Sequence, residues 1–161
     1  MKPASSVPKL LMLAAGLLLS VRVFLFAPFM VEQSSMAPTL VPGAYVLGDS
    51  LLGRVLGYQA GDIVVFADPA GHDLLIKRVV VVGPARVTIA SGAVWRNGIR
   101  LDETYLPTGT VTAARGVSEF TLSADQLFVL GDNRAHSLDS RLFGPIAASS
   151  VESRLVVVFS R

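Results

Sequence analysis

Only three lysines occur in the chain, Lys2, Lys9 and Lys77, and the first two stand at its apolar start. Lys77 lies in residues 74–82 (LLIKRVVVV), where every neighbour except Arg78 is apolar. Alternation along a strand puts Leu75, Lys77, Val79 and Val81 on one face and Ile76, Arg78 and Val80 on the other. An ammonium among Leu and Val is costly unless it is paired or neutralised. Full burial lowers a lysine pKa from about 10.4 by up to ~3–5 units, which makes Lys77 a usable general base near neutral pH. The plain alternative is an edge-strand lysine that discourages aggregation.

A base needs something to deprotonate. Residues 33–40 read QSSMAPTL, with Ser34 and Ser35 shortly before Pro38. Proline disfavours helix in the residue before it, so Ser35 is expected in an extended or turn segment. Held just beyond an apolar stretch, a nucleophile there would meet substrates that are themselves in a membrane. An ordinary polar turn is the alternative. A third cluster, residues 131–146 (GDNRAHSLDSRLFGPI), gathers Asp132, Arg134, Asp139 and Arg141 with Ser137 and Ser140. It reads as an ordered hydrogen-bonded loop, or else as a solvated one whose ion pairs contribute ~0–1 kcal/mol each.

The rest of the chain bounds what these groups can be. In 161 residues, 52% are hydrophobic and only 16% charged, against about 25% charged in a soluble domain. There is no cysteine, which excludes a disulfide framework, thiolate catalysis and cysteine zinc sites. With only His72 and His136, an all-imidazole metal site is not expected. The basic residues are scattered without interleaved aromatics, which argues against nucleic acid as a partner.

The apolar excess is concentrated in residues 10–21 (LLMLAAGLLLSV) and 23–31 (VFLFAPFMV), on either side of Arg22. A cleaved leader would show a small-x-small site next, but bulky FLF follows. A membrane anchor fits better, although a span of about 20 apolar residues must include Arg22 or residues before Lys9. Arg22 can snorkel to the far interface, with Phe24, Phe26 and Phe29 at headgroup level. Lys2 and Lys9 then put the N-terminus in the cytoplasm. The expected organisation is a cytoplasmic start (1–6), an anchor (7–23) and an extracytoplasmic domain (24–161).

That domain reads as mostly β. Strands are expected over 63–66, 74–82, 86–90, 93–96, 99–101, 127–130 and 155–159, with turns at Ser91-Gly92 and Asn97-Gly98. No long amphipathic helical pattern follows residue 40.

Together, the three clusters resemble bacterial type I signal peptidases, Ser/Lys proteases that remove signal peptides from exported proteins. APFMVEQSSMAPTL resembles the serine box, GDIVVF the next box, IKRVV the lysine box and GDNRAHSLDSRLFGPI the last box, in the family's order. WRNGIRLDETYL (95–106) is similar to the strand-turn-strand before the family's Glu-x-Tyr. The resemblance implies a signal-peptidase-like β domain with a small β-hairpin insert (84–126) on one transmembrane helix in the bacterial plasma membrane.

It also implies roles. Ser35 would be the nucleophile and Lys77 its general base, with Ser137 hydrogen-bonding the lysine amine. Arg78 with Asp132, and Asp139 with Arg141, would be supporting ion pairs. The oxyanion would be held by the Ser35 N–H and the side chain two residues upstream, often Ser or Thr in the family and here Gln33. His136 stands where Asn is frequent and reads as structural. Phe29, Val31, Met36, Leu40 and Ile76 would line shallow pockets for the small residues of an Ala-x-Ala-like site. The implied partners are preprotein signal peptides and the lipid bilayer.

Rivals remain. A self-cleaving repressor shares the chemistry but would need a DNA-binding module where the apolar segment stands. A dedicated conjugation or pilus peptidase, a mitochondrial inner-membrane peptidase, or an inactive tethered binding protein would keep the same fold.

Overall fold

The structure is a computed structural model that describes residues 8–13, 16, 26–71 and 73–159. Residues 8–13 and 16 are helical. Among the described residues no helix is long and apolar enough to cross a membrane. The expected cytoplasmic start, Arg22, Phe24 and most of the anchor at 7–23 lie outside the described residues.

Strand β1 (Phe26–Met30) leads through a 3-10 turn (Ser34–Met36) to β2 (Tyr45–Asp49), a short helix α1 (Leu52–Leu56), β3 (Ile63–Ala67) and the long β4 (Leu74–Val82). Then come β5 (Ala85–Ala90), β6 (Ala93–Arg96), β7 (Ile99–Arg100) and β8 (Glu119–Leu122). The chain closes with β9 (Gln126–Leu130), α2 (Ser140–Phe143), β10 (Ile146–Ala147) and β11 (Val151–Phe159). They form a seven-stranded sheet in the order β1-β2-β11-β3-β4-β9-β10 and a four-stranded sheet in the order β7-β6-β5-β8. The pairings are antiparallel.

The β-branched run that predicted β4 forms it in full, and the expected strands β3, β5, β6 and β9 appear within a residue of their bounds. Ser91-Gly92 and Asn97-Gly98 take positive φ in pairs, 51° and 73°, then 52° and 81°. That geometry matches the twist of two-residue hairpins. Residues 84–126 are more than the small hairpin expected. They hold a four-stranded sheet whose Val87, Ile89, Val94 and Leu122 share one core with Val81, Phe128 and Leu130 of the larger sheet. The insert is therefore packed onto β4, the strand that holds Lys77, and onto its neighbour β9.

Four strands were not foreseen. Residues 26–30, read as aromatics resting on lipid, are β1, an edge strand in register with β2 from Phe26↔Asp49 to Met30↔Tyr45. Its Pro28 is tolerated because an edge strand need not donate on both sides. In β2 the glycine is required by a close approach, since a Cβ on Gly48 would collide with the Ser153 hydroxyl of β11. The other two are β8 and the two-residue β10, and β11 begins four residues earlier than its apolar run suggests.

Candidate active site

The sheet places Lys77 centrally: β4 lies between β3 and β9, with Lys77 opposite Val64. The edge-strand alternative is thereby removed. Leu75 and Val79, its neighbours on the same face, are core residues with Val64 and Phe66. Alternation holds as far as Val79, where a bulge against β9 shifts the register before Val81. Lys77 is 1% exposed.

Ser35 sits in the 3-10 turn rather than in extended chain, and Ala37 before Pro38 is the extended residue. Beneath the turn, Met36 and Leu40 pack with Val31, Ala44 and Val46, which fixes it from below. Loop 131–134 fixes it from the side. The Asn133 backbone N–H donates to Ser35 O at 3.0 Å, and Asn133 Nδ2 donates to Ser34 O at 3.2 Å.

Lys77 Nζ then lies 2.8 Å from Ser35 Oγ and donates to Ile76 O at 2.9 Å. Burial pulls the Lys77 pKa down to about 8, against the opposing pull of Asp139 and Asp68. An amine that loses its proton this easily, in contact with a hydroxyl, can accept that hydroxyl's proton when it attacks.

Ser137 is buried close by, but its Oγ has no hydrogen-bond partner among the described residues. The bond to the lysine amine that the resemblance implies is replaced here by the Ile76 carbonyl. Gly131 lies against both serines, and a Cβ there would collide with the Ser137 side chain and the Ser35 carbonyl.

The cluster at 131–146 is no solvated loop. Asp132, Arg134, Asp139 and Arg141 are all buried. Arg78 pairs with Asp132 through two bonds, Nε to Oδ1 at 2.8 Å and Nη2 to Oδ2 at 2.7 Å. Thr39 Oγ1 donates to the same carboxylate at 2.6 Å. Arg141 pairs with Asp139 through Nε and Nη2, each at 2.8 Å. Asp139 also caps α2 by accepting from the Arg141 N–H. Burial works against the charge of Arg78 and Arg134, but bonds to Asp132 and Glu103 respectively more than restore it.

A cleft of about 300 Å³ opens beside Ser35, lined by Phe29, Val31, Gln33, Met36 and Ile76, with Glu32 and Asp73 as its charged groups. Leu40 is not among its lining residues; it is 1% exposed in the core under the turn. His136 is exposed on the loop.

Nothing in the local sequence marks Thr39 or Thr112, or gives Arg134 a partner. Arg134 bonds Glu103 and Thr112 Oγ1. Glu103 and Tyr105 were visible only through the Glu-x-Tyr resemblance, because their partners are about thirty residues away, as the 31-residue span from Glu103 to Arg134 shows.

The chain is similar to known proteins over most of its length. The family model "Signal peptidase, peptidase S26" matches residues 5–160. Signal peptidase I U of Bacillus subtilis is 30% identical over 137 residues, covering 81% of this chain and 73% of that protein. A probable signal peptidase I-1 of Synechocystis is 35% identical over 146 residues, covering 84% of this chain and 71% of that one. A crystal structure of a signal peptidase I from Enterococcus faecalis superposes with a TM-score of 0.51 at 27% identity, over 62% of this chain and 97% of that one. Four sequence boxes, a mostly β fold and a family match over nearly its whole length make one case: the chain belongs to the signal peptidase family, peptidase S26, as a bacterial type I signal peptidase.

Proposed function

We propose that this peptidase works through Ser35 as nucleophile and Lys77 as general base, on signal peptides ending in small-x-small residues. The observation that carries the reading is the 2.8 Å approach of Ser35 Oγ to the amine of a lysine that is almost wholly buried. Ser35 Oγ attacks the scissile carbonyl as its proton passes to neutral Lys77. The tetrahedral oxyanion is held by the Ser35 N–H and by a side-chain N–H of Gln33, a residue of the cleft lining. Lys77 returns the proton to the leaving amine, then deprotonates the water that releases the acyl group from Ser35. No step calls for a metal or an organic cofactor.

Phe29, Val31, Met36 and Ile76 give the cleft apolar walls, which suits small apolar side chains such as Ala. Membrane attachment through residues 7–23, with the domain outside the cytoplasm, is part of the same reading. It is supported by exposed Met30, Tyr45, Val157, Val158 and Phe159, an apolar group at one end of the large sheet. The register brings them together, with Met30 opposite Tyr45 and Tyr45 opposite Phe159. Such a patch suits contact with lipid or with an apolar leader.

The test is processing of an Ala-x-Ala preprotein in liposomes by wild type, Ser35→Ala and Lys77→Ala. Cleavage is expected from wild type alone, its rate rising with pH until Lys77 is neutral above about 8. Near-normal rates in either variant, or a folded wild type silent on several preproteins, would sink the reading.

A second expectation concerns Gly131. Gly131→Ala forces the Ser137 side chain or the Ser35 carbonyl to move, and displacement of a reacting group by about 1 Å costs ~10²-fold in rate. Steady-state cleavage should show that fall in kcat while the folded signal persists; an unchanged kcat would mean that the loop yields without disturbing Ser35.

A further inference from the structure

Arg134 is 2% exposed, and each nitrogen of its guanidinium is hydrogen-bonded. Nη1 donates to Glu103 Oε2 at 3.1 Å and to Thr112 Oγ1 at 2.5 Å. Nη2 donates to Glu103 Oε1 at 2.6 Å and to Tyr105 Oη at 3.3 Å. Its Nε turns back to Gly131 O at 3.1 Å, closing loop 131–134 on itself. The Tyr105 hydroxyl donates to Glu103 Oε1 at 2.5 Å. Burial and that bond raise the Tyr105 pKa, so the phenol stays neutral and keeps its proton for Glu103. The Tyr105 ring lies under the Arg78 guanidinium, 4.1 Å from its centroid. Arg78 follows Lys77 in sequence and pairs with Asp132 of the same loop.

We infer that Glu103 and Tyr105 are positioning residues of the catalytic centre: from the segment after β7 they lock loop 131–134 against Ser35 and brace the arginine that follows Lys77. This inference rests on the Ser35/Lys77 reading. Neither residue lines the substrate cleft. They act through Arg134 and Arg78, one on the loop whose Asn133 N–H holds the Ser35 carbonyl, the other on the strand that holds the amine. A carboxylate gripping a guanidinium through two parallel bonds fixes orientation as well as distance. The stacked ring adds attraction that a water-exposed contact would lack.

The insert sheet thus has a use beyond packing. Its trailing segment sets the geometry of two side chains that lie far from it in sequence. Losing that support leaves the cleft intact, so the damage falls on kcat and not on KM.

The experiment combines amide exchange with kinetics on the full chain in liposomes, comparing wild type with Glu103→Gln, Glu103→Asp, Tyr105→Phe and Tyr105→Leu. Glu103→Gln and Tyr105→Leu are expected to lower kcat by ~10–10²-fold, the scale of a sub-ångström to 1 Å misplacement, with KM within about twofold. Tyr105→Phe keeps the ring over Arg78 and should lose only a few-fold, and Glu103→Asp should recover part of the Glu103→Gln loss.

Exchange at Asn133 should quicken in Glu103→Gln, while amides of the β3–β11 pairing keep their wild-type rates. This readout needs no turnover. A wild type that processes nothing therefore defeats the Ser/Lys reading alone, and exchange at Asn133 still decides this one. Unchanged Asn133 exchange in both Glu103→Gln and Tyr105→Leu would overturn the inference. A rise in KM at constant kcat would overturn it too, as would exchange that quickens equally across the large sheet.

Discussion

Lys77→Met is expected to abolish processing and, at pH 7, to leave the folded domain at least as stable as the wild type. A general base contributes about 10²–10⁴ in rate, so the activity loss should be at least that large. The stability effect follows from linkage. The folded state holds the Lys77 pKa near 8, against a model value of 10.5, because burial disfavours the ammonium. A group whose folded pKa is depressed as a cation makes the native state bear a cost wherever it is charged, at pH values below about 8. That cost is about 3 kcal/mol, at 1.36 kcal/mol per pKa unit.

Between pH 8 and 10.5 the native state sheds the proton and the unfolded chain keeps it, so wild-type stability climbs across this window. Met is apolar, similar in length and without a proton to lose. It forfeits the hydrogen bonds to Ser35 Oγ and Ile76 O, worth about 1 kcal/mol each. The sharp observable is therefore the slope. Denaturant unfolding of both proteins from pH 7 to 10.5 should show wild type gaining on Lys77→Met by about 3 kcal/mol. Parallel curves would mean that Lys77 carries its charge without penalty and is no better a base than a surface lysine.

How much of this was legible beforehand depends on the range of the interaction. Lys77 stood out because a strand pattern and a solvation cost are local: a charge whose same-face neighbours are all apolar signals burial wherever the strand ends up. The hairpin turns were readable for the same reason, since Ser91-Gly92 and Asn97-Gly98 announce positive φ by residue type. β1 was misread because FAPFM has one composition for two settings, a lipid boundary and a sheet edge, and only the partner strand β2 distinguishes them.

Leu40 fails as a cleft residue on similar grounds. Apolar type gives burial but not which side of a turn is buried, and the turn after the 3-10 segment, closed by the Leu40 N–H donating to Met36 O, packs it into the core with Met36. Arg134 is the clearest case of information that the local sequence lacks. Its guanidinium is satisfied by Glu103, Tyr105 and Thr112, brought together by the packing of the insert sheet on β4 and β9.

Asp139→Asn is the change expected to cost most in stability, although it replaces one atom. The carboxylate is 0% exposed and takes four bonds: from the Arg141 N–H at 3.2 Å, Arg141 Nε and Nη2 at 2.8 Å each, and the Gly131 N–H at 3.2 Å. Asparagine can still cap α2 through its carbonyl. It cannot neutralise Arg141, which is 2% exposed and would be left as a buried cation held only by the carbonyls of Arg134 and Ala113. Removing one partner of a buried pair costs about 3–5 kcal/mol, because the remaining charge has lost its compensation. For a chain of this size that is a fall in Tm of about 10 °C.

The orphaned cation, not the lost contact, is the cause. Replacing Arg141 with Met in the Asp139→Asn background should therefore return a large part of the loss. Asp139 also raises the Lys77 pKa. Its removal should move the midpoint of the pH–rate profile to more acid pH, since the base then sheds its proton more easily. Thermal unfolding and a pH profile on the surviving folded enzyme separate the two effects. If Asp139→Asn leaves Tm unchanged, the pair is solvated in solution; if the midpoint instead moves alkaline, Asp139 does not act on Lys77 through its charge.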